Sequence, residues 1–138
     1  MGVAYRLKKS KFYISKENKE LAFDILKSTF TSFEIYKKAG VDDDETFYKQ
    51  FRDSQTFENA AQLAGWFGVN DVLSDSKGNA KGFKKGGDMD SDPTDSIIGF
   101  YTPIAHLVKE GSFIEIGHEG REISTFSFSG GKIAVSIR

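Results

Sequence analysis

From Ser112 onward the chain alternates apolar and polar residues in short runs, separated by links too short for anything but tight turns. The runs are Ser112 to Gly117, Glu122 to Phe128 and Lys132 to Ile137, joined by His118-Glu119-Gly120-Arg121 and Ser129-Gly130-Gly131. A tight turn that follows the twist of its strands needs positive φ, which glycine adopts without steric cost. Ile114 and Ile116 share one side of the first run, Phe126 and Phe128 one side of the second, and Ile133, Val135 and Ile137 one side of the third. Period-two alternation of this kind predicts an antiparallel meander with one buried face. A helical stretch from Pro93 to Lys109 leads into it and stops at Gly111.

At the other end, Val3, Tyr5 and Leu7 alternate with Ala4, Arg6 and Lys8, whereas Phe12 and Ile14 continue on the opposite parity. One strand reconciles the two halves if it bulges near Lys9 and Ser10. Ser15 suits an N-cap, and Leu21, Ala22, Ile25, Leu26, Thr29 and Phe30 follow at helical spacing. Phe33 to Ala39 fits either a helix or a short strand and ends at Gly40. Asp42, Asp43, Asp44 and Glu45 precede Phe47, Tyr48 and Phe51, as expected at the positive end of a helix. Thr56 caps a further helix from Phe57 to Phe67, stopped by Gly68, with Ala60, Ala61 and Ala64 on its buried stripe. Val69 to Leu73 and Ala80 to Lys84 flank Asp75-Ser76-Lys77-Gly78-Asn79 as a second hairpin. Asp92 then caps a helix with Pro93 in its first position, and Pro103 lies deep enough to force a restart, with Thr102 as the new cap.

These elements predict one α+β domain over residues 1–138. Its antiparallel sheet is built from the N-terminal strand, the central hairpin and the C-terminal three-stranded meander, packed against three to four helices. Leu21, Ile25, Phe30, Phe67, Ile98, Ile116, Phe126 and Val135 are expected in one core. With 138 residues and 38% hydrophobic content the chain can bury such a core without staples. The absence of cysteine excludes disulfides and thiolate zinc sites. Met1 to Ile14 carries charges every few residues, no segment approaches the apolar length that spans a bilayer, and a cytoplasmic protein is expected.

The order of hairpin, helix and meander, with Asp75-Ser76-Lys77-Gly78-Asn79, Gly111-Ser112-Phe113-Ile114-Glu115 and Gly131-Lys132 at its turns, resembles a set of short uncharacterised bacterial and phage accessory proteins. The resemblance spans roughly residues 60 to 138 and rests on turn chemistry. It implies an α+β fold and an accessory role, and it carries over no catalytic residue.

A net charge of −1 hides an uneven distribution: residues 1–40 hold nine Lys/Arg against four Asp/Glu, and residues 41–60 hold two against six. Asp88, Asp90 and Asp92 alternate like ligands of a hard cation, but Pro93 stands where a calcium loop needs glycine and Gly99 where it needs glutamate. A solvated loop leading into a helix is therefore the expectation, with no metal and no cofactor. Lys77, Lys81, Lys84 and Lys85 surround Phe83 among glycines, a pattern that can track a phosphate backbone while a ring stacks on a base. Lysines on an edge strand also guard against sheet aggregation. His118 with Glu115, Glu119 and Glu122 offers acid–base groups, and His106 lies in the kinked helix, yet no nucleophile with a partnered base shows a recognisable spacing.

The expected function is therefore binding without catalysis. The leading expectation is a protein partner, such as a basic toxin or defence protein that this chain inhibits, met by Asp42, Asp43, Asp44, Glu45, Asp88, Asp90 and Asp92. The alternatives are nucleic-acid binding through Lys77, Lys81, Phe83, Lys84 and Lys85, and oligomeric binding of a small metabolite.

Overall fold

The computed structural model describes residues 4–64, 71–85, 89–119 and 122–138. In chain order they form β1 (Tyr5–Lys11), α1 (Lys16–Thr29), α2 (Phe33–Lys38), α3 (Glu45–Arg52), α4 (Phe57–Leu63), β2 (Val72–Ser74), β3 (Ala80–Phe83) and α5 (Thr94–Tyr101). A 3-10 helix (Thr102–Leu107), β4 (Phe113–His118), β5 (Ile123–Ser129) and β6 (Lys132–Ile137) complete the α+β fold. The meander joins the N-terminal strand in one antiparallel sheet of order β1-β4-β5-β6, with Tyr5 opposite His118 and Lys11 opposite Phe113. β2 and β3 form a separate two-stranded sheet. That hairpin is tied to the end of β1 where Ile14 and Ala80 exchange backbone hydrogen bonds of 3.2 and 2.9 Å.

Local side-chain chemistry sets most boundaries. The side chains of Ser15, Ser32, Asp44 and Thr56 accept from the free amides of Asn18, Ile35, Thr46 and Asn59, starting α1 to α4. Ser32 is what decides the ambiguous Phe33 segment in favour of helix. α4 runs to Leu63, and the expected stop at Phe67 and Gly68 lies outside the described residues. Pro93 occupies the cap position of α5, not its first turn, because the Asp92 carboxylate accepts from both the amide and the hydroxyl of Thr94, at 2.9 and 2.5 Å. The chain restarts as a 3-10 helix after Tyr101, one residue before the expected cap, which puts Pro103 in a first turn that needs no amide from it.

β1 has its irregularity between Leu7 and Lys9, so the extra residue is Lys8 and lies slightly earlier than expected. Lys8 and Lys9 both stay in solvent, while Leu7 before the bulge and Phe12 and Ile14 after it are buried. The Lys8 stem lies over Gly117, where a Cβ would come within 2.3 Å of Lys8 Cε. A side chain at this position would have to displace the flexible Lys8 stem.

One face of the sheet carries Ile114, Ile116, Phe126 and Phe128 into the core. Phe12 reaches Phe83 at 4.8 Å, Tyr101 at 5.3 Å and Phe128 at 5.4 Å between ring centroids. Tyr101 packs on Phe100 at 4.9 Å, and Phe100 joins Phe30 and Phe51 beneath the helices. Phe30, Ile116 and Phe126 are buried as expected, with Ile25 and Ile98 partly so, and Phe67 lies outside the described residues. Leu21 and Val135 are 48% and 37% exposed, against expectation. α1 buries Lys19, Ala22 and Leu26, a ridge turned toward α4 where Lys19 meets Glu58 at 3.2 Å, and this leaves Leu21 outside. β6 is an end strand of the sheet, and of its apolar side chains Ile133 packs on the core while Val135 and Ile137 extend beyond it.

Truncating Phe126 to Ala is expected to cost about 3–5 kcal/mol in a single cooperative transition. Val135→Ala, at the exposed strand, should stay within about 0.5 kcal/mol. Gly99→Ala should destabilise by about 1–3 kcal/mol or more, because its Cβ would fall 1.5 Å from the Ala39 carbonyl oxygen, a backbone atom that cannot move aside. The buried Tyr101 hydroxyl has no hydrogen-bond partner among the described residues, so Tyr101→Phe should be neutral or stabilising. Chemical denaturation followed by circular dichroism checks all four, and two transitions or a neutral Phe126→Ala would contradict the single core.

Candidate functional site

The bulge in β1 and the course of β3 together create a surface depression. Phe83 donates its amide to Ser10 Oγ at 3.0 Å and Phe12 donates to the Lys81 carbonyl at 3.4 Å, so β3 runs beside the second half of β1. Met89 also meets β1, exchanging hydrogen bonds of 2.9 and 2.7 Å with Tyr5. Between these two anchor points, Leu7, Lys8, Lys9 and Ser10 form one wall, and Leu73 with Lys81 through Lys85 forms the other. Among the described residues, five of those lining the depression are lysines and none is acidic. Among the described residues none of these five lysines is engaged in an ion pair. Lys9 extends over the Phe113 ring, 5.9 Å from its centroid.

The hairpin that carries the second wall is pinned at its turn. Asp75 Oδ1 accepts from the amides of Lys77 and Asn79 at 2.9 and 3.0 Å, and Oδ2 from the Asn79 side chain at 3.1 Å. Asn79 Oδ1 in turn accepts from the Lys16 amide at 2.8 Å, fastening the turn to the start of α1. The hydrogen bond from the Asn79 side chain, then that from its backbone, holds the Asp75 carboxyl below the usual carboxylate range.

Lys81, Lys84 and Lys85 therefore meet, as the sequence suggested, but with Lys8 and Lys9 and not with Lys77 or an exposed Phe83. Lys77 lies in the hairpin turn, outside the depression. Phe83 is 3% exposed and packed on Phe12 and Tyr101, so its ring cannot stack on a base. Lys8 and Lys9 escaped the sequence reading because they stand more than seventy positions away in the N-terminal strand. The parity change around the bulge was the one signal that both side chains face outward.

The acidic segments have a different fate. Ser96 Oγ donates to the Gly40 carbonyl, bringing the start of α5 against the loop that carries Asp42, Asp43, Asp44 and Glu45. Asp44 caps α3, Asp42 accepts from the Asp44 amide at 2.9 Å, and Asp92 is bound to Thr94. Asp43, Glu45 and Asp90 are exposed, and Asp88 lies outside the described residues. Burial, with the charges of Asp44 and Asp43 beside it, pushes the Asp42 carboxyl above the usual range.

The acid–base candidates have structural partners. His118 stacks on Tyr5 at 4.7 Å, Glu119 accepts from the Ala4 amide at 3.1 Å, and Glu115 pairs with Arg138 at 3.4 Å. His106 is exposed, beside Gly131. Among the described residues no group of three or more His, Asp or Glu is placed to hold a metal ion, and no helix is long and apolar enough to cross a membrane. Comparison with known proteins gives no match to a family model, a curated protein or a solved structure.

Because its folded-state pKa is depressed, Asp75 stabilises the hairpin above the ordinary carboxylate pKa, and that contribution is lost as pH falls through the depressed value. The amide resonances of Lys77 and Asn79 should accordingly titrate with a midpoint below about 3.9, the unperturbed aspartate value. A midpoint at or above it would contradict the hydrogen-bonded turn.

Proposed function

We propose that this chain is a nucleic-acid-binding accessory protein that holds a phosphate backbone in the lysine-lined depression between β1 and β3. The observation that carries this reading is the convergence of Lys8 and Lys9 with Lys81, Lys84 and Lys85 around one depression that has no carboxylate among its described lining residues. Lysine is a hydrated point charge on a flexible stem, suited to following phosphates without a fixed hydrogen-bonding plane. Five such charges around one depression attract a polyanion, whose binding releases its own counterions. A chain of net charge −1 offers a polyanion no general attraction, so the attraction has to come from a local cluster such as this one.

Fluorescence anisotropy of a labelled oligonucleotide across a salt series tests the proposal. Log affinity should fall linearly with log salt, and Lys8→Gln and Lys84→Gln should each make the slope shallower by about one. No binding at low salt, or slopes unchanged in both variants, would overturn it.

A second reading, docking on a basic protein that the chain would inhibit, is favoured by the contact of the 40–45 loop with the start of α5. The acidic 42–45 segment thereby lies near Asp95, and a cationic partner would offset the charges of Asp44 and Asp43 that add to burial in raising the Asp42 pKa. In a host-cell pull-down, Asp43→Lys and Asp90→Lys should lose that partner while leaving the fold intact, since exposed charges contribute little to stability. Equal recovery by wild type and both variants would remove the acidic end from the account.

A further inference from the structure

The sheet has a second face, turned away from the helices. On it Phe113, Glu115, Thr125 and Ser127 are half-buried, and Ser136 and Arg138 are exposed. These six residues line a shallow depression together with Glu110 and Ser112 at one end. The depression is joined to the lysine groove by a shared element: Lys9, which lines the groove, pairs across the strands with Glu115 and stands over the Phe113 ring.

Its charge differs from that of the groove. Glu115 is bound to Arg138 at 3.4 Å, and Glu110 accepts from Ser129 Oγ at 2.6 Å and from the Gly130 amide at 3.0 Å. These fixed carboxylates repel a phosphate, so the depression suits the uncharged part of a nucleotide while the groove suits its backbone. An aromatic ring among hydroxyl groups meets that requirement, since a base stacks on the ring and its edge finds donors and acceptors in Thr125 and Ser127. A duplex keeps its bases stacked on one another and has none to offer.

We propose that the outer sheet face is the base-binding half of a single-strand site, with Phe113 as the stacking platform and the lysine groove as the phosphate track. This rests on the nucleic-acid reading above and extends it to a ligand class, single-stranded nucleic acid, and to a residue that stacks.

The test uses three labelled probes of equal length and fluorescence anisotropy at fixed salt: a single-stranded oligothymidine, an abasic strand with the same phosphates, and a duplex. Wild type should bind the oligothymidine about ten-fold more tightly than the abasic strand, and more tightly than the duplex. Phe113→Leu, which keeps an apolar side chain but removes the π face, should erase the preference for bases and leave abasic affinity unchanged. Lys84→Gln should weaken all three probes together. Thermal melts of both variants confirm that they fold. If wild type binds oligothymidine and abasic strand equally, or Phe113→Leu keeps the preference, the base platform is overturned and the phosphate groove survives. Preference for the duplex also overturns it, and binding of none of the probes overturns both readings.

Discussion

Phe12 is the side chain on which the arrangement of the fold depends. It is wholly buried and touches a ring from each of three elements: Phe83 of the hairpin, Tyr101 at the end of α5 and Phe128 of β5. The hairpin has two short strands and no apolar face large enough to hold it alone, so its position comes from this contact and from the hydrogen bonds of Ser10, Phe12 and Ile14. Tyr101 passes the same packing to Phe100 and thence to Phe30 and Phe51 under the helices. Sheet, hairpin and helices thus share one aromatic interior, which is where most of the chain's 13 phenylalanines are used.

Phe12 can face inward only because β1 changes parity. Were Lys8 paired in register and not bulged out, the strict alternation that buries Leu7 would send Phe12 and Ile14 into solvent. The same insertion leaves Lys8 and Lys9 side by side on the outer surface, beside Lys81 of β3 and the Lys84 and Lys85 that follow it. Packing inside and charge outside are therefore two consequences of one bulge. The acidic loop reaches the start of α5 by a separate contact, through Gly40 and Ser96, so the chain gathers opposite charges by two unrelated devices.

Much of this architecture was legible from residue patterns. The meander followed from its glycine turns and alternation, three of the first four helices from Ser15, Thr56 and the acidic run at 42–45, and the bulge from the change of parity between Leu7 and Phe12, whereas the Phe33 segment stayed open between helix and strand. Less was legible where several elements compete for one face. Leu21 sits on a helical stripe in sequence, but α1 turns its Lys19 side toward Glu58 of α4, a pairing that no local pattern encodes. Val135 alternates correctly and lies on the core side of its strand, yet the packing stops at Ile133. The candidate site was half visible for the same reason. Lys81, Lys84 and Lys85 are clustered in sequence, whereas Lys8 and Lys9 join them only through long-range pairing, and Phe83, whose ring looked available beside them, is claimed by Phe12.

The central claim is that residues of β1 and β3 act as one anion-binding surface. Amide chemical shifts recorded during titration with a short single-stranded oligonucleotide test it most directly, because they report each wall of the groove separately. The account predicts that resonances of residues 8–10 and 81–85 move together and saturate with one dissociation constant, while those of residues 42–45 stay still. Movement confined to one wall, or centred on the acidic loop, would contradict it.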